Sequence, residues 1–249
     1  MRRISLAVLC GFLLVAVGTA YAGHRHFSVK PKEFAPFKTR LVTAEWVEGV
    51  GCPTNAKTAA GNADMSAPGG PGPNYTDPAC TTGDPRDKKV EGLLLSKTGP
   101  TSNFASAQAF VKKAPKTLTE LGWDIRKPGA DGAGGPRGSH CGAGAPRWNI
   151  TTKTGQTYFV GCNSPPATSQ VAGTGYVRMR WDATTMAFPQ SPGPTVAIGS
   201  LEVKHLKIVF DEGYDAPGAP TNFGLAVLDN VNVNGQFVGR GGGGDDDDD

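Results

Sequence analysis

The chain has 249 residues, 38% of them hydrophobic and 19% charged, with a formal charge of +3. Glycine (35) and proline (20) are frequent but together fall short of the roughly 25–30% that marks a disordered chain, so a folded body with long loops is expected. The basic excess is too small to argue for a nucleic-acid partner, and after residue 22 no apolar run reaches the roughly 20 residues of a membrane-spanning helix.

The chain opens with Arg2 and Arg3, followed over residues 6–17 by an apolar stretch and then by Ala20-Tyr21-Ala22. A positive start, an apolar run of about a dozen residues and small residues at the two inspected positions make a cleavable export signal, so residues 1–22 read as a signal peptide and the mature chain begins at Gly23. An exported chain reaches an oxidising compartment, extracellular or periplasmic. Setting aside the two leader arginines and the five tail aspartates turns the total of +3 into +6 for the body. Residues 241–249 form a flexible glycine spacer carrying the acidic run, so residues 23–240 are left as a single domain.

Residues 23–40 are polar and punctuated by proline, and the first strand is expected at residues 41–47. Four cysteines survive cleavage, and an even number in an exported chain reads as two disulfides. Of the three possible pairings, Cys52 with Cys80 and Cys141 with Cys162 close the shorter loops, each around a Gly/Pro-rich excursion. Zinc is disfavoured because no CxxC or HxxxH spacing occurs.

Further strands are expected at residues 90–95 and 105–111. In the second of these, small apolar residues alternate with polar ones until Phe110 breaks the period. Leu121, Trp123 and Ile125 then fall at every second position, with Gly122, Asp124 and Arg126 pointing the other way. After a loop over residues 127–144, two strands flank Lys153-Thr154-Gly155 as a hairpin. Val177, Met179 and Trp181 alternate with Arg178 and Arg180, and Leu206, Ile208 and Phe210 with Lys207 and Val209. Two short strands follow, and Asn234-Gly235 is a two-residue turn signal before the last one. Six to ten strands without a helix predict an all-β fold, two antiparallel sheets packed face to face as a β-sandwich with long Gly/Pro-rich loops.

Residues 208–213 and 224–235, with the apolar-Asp-Asn-apolar sequence Leu228-Asp229-Asn230-Val231, resemble the closing strands of jelly-roll carbohydrate-binding domains. Residues 93–101 and 142–149 resemble parts of an uncharacterised family of exported bacterial proteins that brings no activity with it. The first resemblance implies a jelly-roll-like sandwich, a polysaccharide or cell-surface glycan as partner, and a structural calcium ion ligated in part by Asp229. Calcium takes six to eight oxygen ligands, and Asp211, Glu212 and Asp215 precede a loop that could return to Asp229. The other reading makes Asp211 and Glu212 a polar strand end, with Asp229 and Asn230 hydrogen-bonding turn backbone.

A glycan-binding module stacks exposed aromatic rings on sugar faces. Trp46, Tyr75, Trp148 and Tyr214 are the ring candidates, although Trp46 and Trp148 at strand positions equally suit a core. A structural or interaction protein of the cell surface or matrix is the alternative, with the acidic tail as its contact. An enzyme is the third reading. No Gly-x-Ser-x-Gly elbow, HExxH or phosphate loop is present. A copper enzyme using His24 as its first residue would need cleavage after Gly23, with Tyr21 where a small residue is wanted. Paired acids for glycoside cleavage are defined by their separation in space.

Overall fold

The computed structural model describes residues 27–36, 38, 40–52, 79–80, 82–98, 105–126, 145–161, 164, 168–171, 176–211 and 223–242. The expected signal peptide, residues 1–22, with residues 243–249, Cys141 and Cys162, lies outside them. So do Tyr75, Tyr214, Glu212 and Asp215.

The described strands are β1 (Ser28–Phe34), β2 (Val42–Val47), β3 (Gly92–Thr98), β4 (Ser106–Lys112), β5 (Glu120–Arg126), β6 (Arg147–Thr152) and β7 (Thr157–Gly161). They continue with β8 (Thr168–Val171), β9 (Val177–Asp182), β10 (Met186–Pro189), β11 (Val196–Ala197), β12 (Val203–Phe210), β13 (Phe223–Val233) and β14 (Gln236–Val238). Apart from a single 3-10 turn, Ile198–Ser200, no helix occurs among the described residues.

Two antiparallel sheets result. The first runs β1-β4-β12-β6-β7-β10-β11 and the second β2-β3-β13-β5-β9-β8, with β14 added to β13. Alternation puts Ala107 and Ala109 of β4, Trp148 and Ile150 of β6, and Leu206, Ile208 and Phe210 of β12 into the space between the sheets. There they meet Leu93, Leu95, Leu121, Trp123, Ile125, Met179, Trp181 and Leu228 from the other layer. The alanines of β4 leave room for rings. Trp123 stacks on Trp148 with centroids 5.4 Å apart and meets Trp181 edge-on at 4.8 Å, each pair adding about 1 kcal/mol beyond the area buried.

β1 is earlier than expected, since the sequence reads as irregular up to residue 40. A proline normally breaks a ladder because it has no N–H to donate. Pro31 is tolerated because β1 is an edge strand that pairs with β4 alone, with Pro31 opposite Ala109, so the missing donor faces no second partner. Both anticipated turns form. Thr152 N–H donates to Gln156 O (2.9 Å) around Gly155, and Asn234 (φ 53°) and Gly235 (φ 79°) both adopt the left-handed backbone of the turn that links β13 to β14.

Candidate functional site

Two regions off the core concentrate polar and aromatic side chains, one on the outward side of each sheet. On the second sheet, Asp229, Asp124 and Arg178 lie side by side on neighbouring strands: Asp229 of β13 opposite Asp124 of β5, and Asp124 opposite Arg178 of β9. A register shift in β13 between Asp229 and Asn232, with Asn230 at φ 45°, is a β-bulge that brings two consecutive side chains to this side. All four residues are buried, and Cys52, Cys80, Thr82 and Asp84 of the β2–β3 connection cover them.

That cover is stapled by the Cys52–Cys80 disulfide, as expected from the sequence. The half-cystines aim their backbone at the acids: Cys52 N–H donates to Asp229 Oδ2 (2.6 Å) and Cys80 N–H to Asp124 Oδ2 (3.2 Å). Arg178 grips both oxygens of Asp124 (2.8 and 2.9 Å) and also bonds Thr82 of the cover. Phe237 of β14 lies over the guanidinium groups of Arg178 and Arg180 at 5.6 and 4.8 Å. Asp84 N–H donates to Asn230 Oδ1 (3.0 Å). At Gly83 a Cβ would stand 2.0 Å from that same oxygen, so only glycine lets the cover approach this closely.

Burial, with Asp124 opposite adding repulsion, pushes the Asp229 carboxyl well above the usual carboxylate range, against the N–H donors of Asn230 and Cys52. Burial also raises Asp84, but its ion pair with Arg86 (2.8 Å) prevails and holds it below its ordinary value. The oxygens here accept N–H donors: Asp229 from Cys52 and Asn230, Asp124 from Arg178, Cys80 and Asn230 Nδ2, and Asp84 from Arg86 and Gly239. Each Asp229 oxygen therefore already holds an N–H donor, and of the other three candidates for the ion that the jelly-roll resemblance implies, Glu212 and Asp215 lie outside the described residues. The cysteines beside Asp124 are spent on each other as a disulfide.

Nor does the fold bring Asp211 and Asp229 together. Asp211 sits at the end of β12 on the far side of the sandwich, where Arg147 holds both its oxygens at 2.6 Å. Its carbonyl accepts from Lys97 (3.2 Å), whose ladder partner is Gly224, five residues or roughly 17 Å along β13 from Asp229. Trp148 is fully buried and packed on Trp123, which corrects its candidacy as a ligand-stacking ring: no sugar reaches the mid-core. Trp46 is half-buried on the edge strand β2, with its indole N–H donated to Val29 O (3.1 Å), so it ties the two sheet edges together.

The outward side of the first sheet is different in kind. Its ladders align one side chain from each of six strands: Lys30, Phe110, Lys207, Asn149, Phe159 and Phe188. Five strand spacings make this row roughly 24 Å long. Phe110 carries cations on both sides, Lys207 Nζ at 5.5 Å and Lys32 Nζ at 5.9 Å from its centroid, and Arg147 lies over Phe159 at 5.2 Å. Phe188 is 51% exposed. Lys207 donates to Gln108 Oε1 (3.1 Å), and burial, with Arg147 adding repulsion, holds its ammonium below the usual lysine value. Asn149 Oδ1 is buried and accepts no hydrogen bond among the described residues.

None of these residues is among the site candidates that the sequence offers. The one legible signal was Phe110, a large apolar ring at an outward parity where the preceding residues alternate small and polar. Compared with known proteins, the chain matches no family model, no curated protein and no solved structure.

Proposed function

We propose that the chain is a secreted, non-catalytic binding module that takes a glycan on the outward side of its first sheet. The observation that carries this reading is the row Phe110-Lys207-Asn149-Phe159-Phe188, in which rings and hydrogen-bonding groups alternate across a sheet face. Rings supply apolar faces for the C–H side of a sugar, while Gln108, Asn149 and Lys207 present groups that pair with hydroxyls.

Glycoside cleavage calls for two free carboxyl groups about the scissile bond. On this face the carboxylate of Asp211 is held by Arg147, so binding without cleavage is the reading preferred.

The test is retention of the purified mature chain on a panel of insoluble and soluble polysaccharides, repeated with Phe110→Ala and Phe159→Ala. Each ring contributes about 1 kcal/mol, so the double variant should lose tenfold or more in affinity while keeping its melting temperature within a few degrees. No retention on any glycan, or retention indifferent to both substitutions, rejects the assignment.

A further inference from the structure

The charge distribution on this same face narrows the ligand. Its outward positions carry Lys30 and Lys32 on β1, Lys112 on β4, Lys207 on β12 and Arg147 on β6. Against them stands Asp211, which neutralises Arg147 through a two-point contact, and Glu33 near the end of β1 is exposed on the same sheet. The four lysines remain, and three of them, Lys30, Lys32 and Lys112, are exposed. The fourth, Lys207, is half-buried between Phe110 and Gln108, where part of its hydration is already lost. An anion arriving beside it meets a cation in a medium of reduced dielectric, where attraction is several-fold stronger than in bulk water.

The lysines are also spaced. Along the row, Lys30 and Lys207 stand on either side of the Phe110 ring, two strand spacings or roughly 10 Å apart. A ligand matched to this pattern lays one sugar ring on Phe110 and carries its negative charges singly, on separate sugars, to either side of it. A chain with several charges crowded on each sugar would instead call for clustered cations, and the forked guanidinium that suits such groups is taken here by Asp211.

Resting on the reading that this face takes a glycan, we propose that its ligand is an acidic polysaccharide whose charges are carboxylates borne one per sugar, as in a polyuronate. Phe110 and Phe159 hold the rings, and Lys30, Lys32 and Lys207 read the carboxylates. Part of the attraction is then exposed and long-ranged, so binding weakens with salt.

The experiment measures affinity of the full mature chain for polygalacturonate, for the same polymer methyl-esterified, for neutral dextran, for dextran sulfate and for polyaspartate. Expected is binding to polygalacturonate that drops at least tenfold on esterification. It should also drop at least tenfold between about 0.1 and 1 M salt, as the Debye length shrinks from roughly 10 to 3 Å. The triple variant Lys30→Gln, Lys32→Gln, Lys207→Gln should lose at least tenfold for polygalacturonate with an unchanged melting temperature.

Esterified polymer or dextran bound as tightly as polygalacturonate overturns the acidic assignment and leaves glycan binding standing. Tighter binding of dextran sulfate overturns the carboxylate assignment. Equal binding of polyaspartate reduces the face to an unspecific polyanion surface and overturns the proposal. Unchanged affinity of the lysine variant overturns it too, and failure to bind every glycan removes the parent reading with it.

Discussion

Asp124 and Asp229 stand directly across the β5–β13 ladder from each other, two buried carboxyl groups in register on the outward side of the second sheet. Like charges so placed destabilise a sheet. Here the conflict is resolved by Arg178, which holds Asp124 with two hydrogen bonds, and by the backbone N–H of Cys52 and Asn230 on Asp229. The disulfide cover and the acidic row are therefore one structural unit.

Removing the cation from that unit leaves Asp124 charged, buried and beside a second carboxyl. Arg178→Met should cost about 3–5 kcal/mol, the range for breaking a buried ion pair from one side, measured as a lower urea midpoint with an unchanged slope. A loss below about 1 kcal/mol would show that the row tolerates an unbalanced charge.

The Cys52–Cys80 bridge spans a sequence separation of 28, which the chain-entropy model converts to about 3–4 kcal/mol. Cys52→Ser with Cys80→Ser should lose at least this amount, since an untethered cover also withdraws N–H donors from Asp124 and Asp229. Thermal unfolding of the double variant beside the parent checks it. Near-equal melting temperatures would mean that packing of Tyr176, Val227 and Ala79 under the cover holds it without the bridge.

Asp84 is held below its ordinary value of 3.8 by Arg86, against the opposing effect of burial. A carboxylate depressed in the folded state stabilises above its unfolded value, and that contribution disappears as pH falls from 3.8 through the lower folded value. Asp84→Asn should accordingly lower the melting temperature near neutral pH, with the gap to the parent closing below pH 3.8. A gap independent of pH would assign the effect to lost hydrogen bonds rather than to charge.

A chelator separates the two readings of Asp229. With its oxygens taken up by N–H donors, excess EDTA should leave the melting temperature where it stands in added calcium. A chelator-sensitive transition would restore a cation to the acidic row.

Much of the sandwich was legible because alternation is a local property of an extended backbone. Leu121, Trp123 and Ile125 face the core while Asp124 and Arg126 face away, as their spacing requires. The Asn234-Gly235 turn follows equally from local backbone preference. β1 was missed because Pro31 is a breaker everywhere except at an edge, and edge position is not written in the strand itself. The same holds for the site: Phe159, Lys207 and Lys30 lie on three strands far apart in sequence, and only register aligns them in one row.

The sequence by itself determined which side chains share a face of each strand, and its Gly/Pro-rich excursions with their flanking cysteines anticipated the staple. Tertiary structure alone decided what each outward face meets. Asp124 and Arg178 stand at outward parity in the sequence, yet with Asp229 they are buried and bonded by Cys52, Cys80 and Thr82. The equivalent positions of the other sheet keep Lys30, Lys32 and Phe188 exposed. Alternation divides a strand into two sides, but whether the outer side is covered depends on where distant chain returns, and that is set by long-range packing rather than by local sequence.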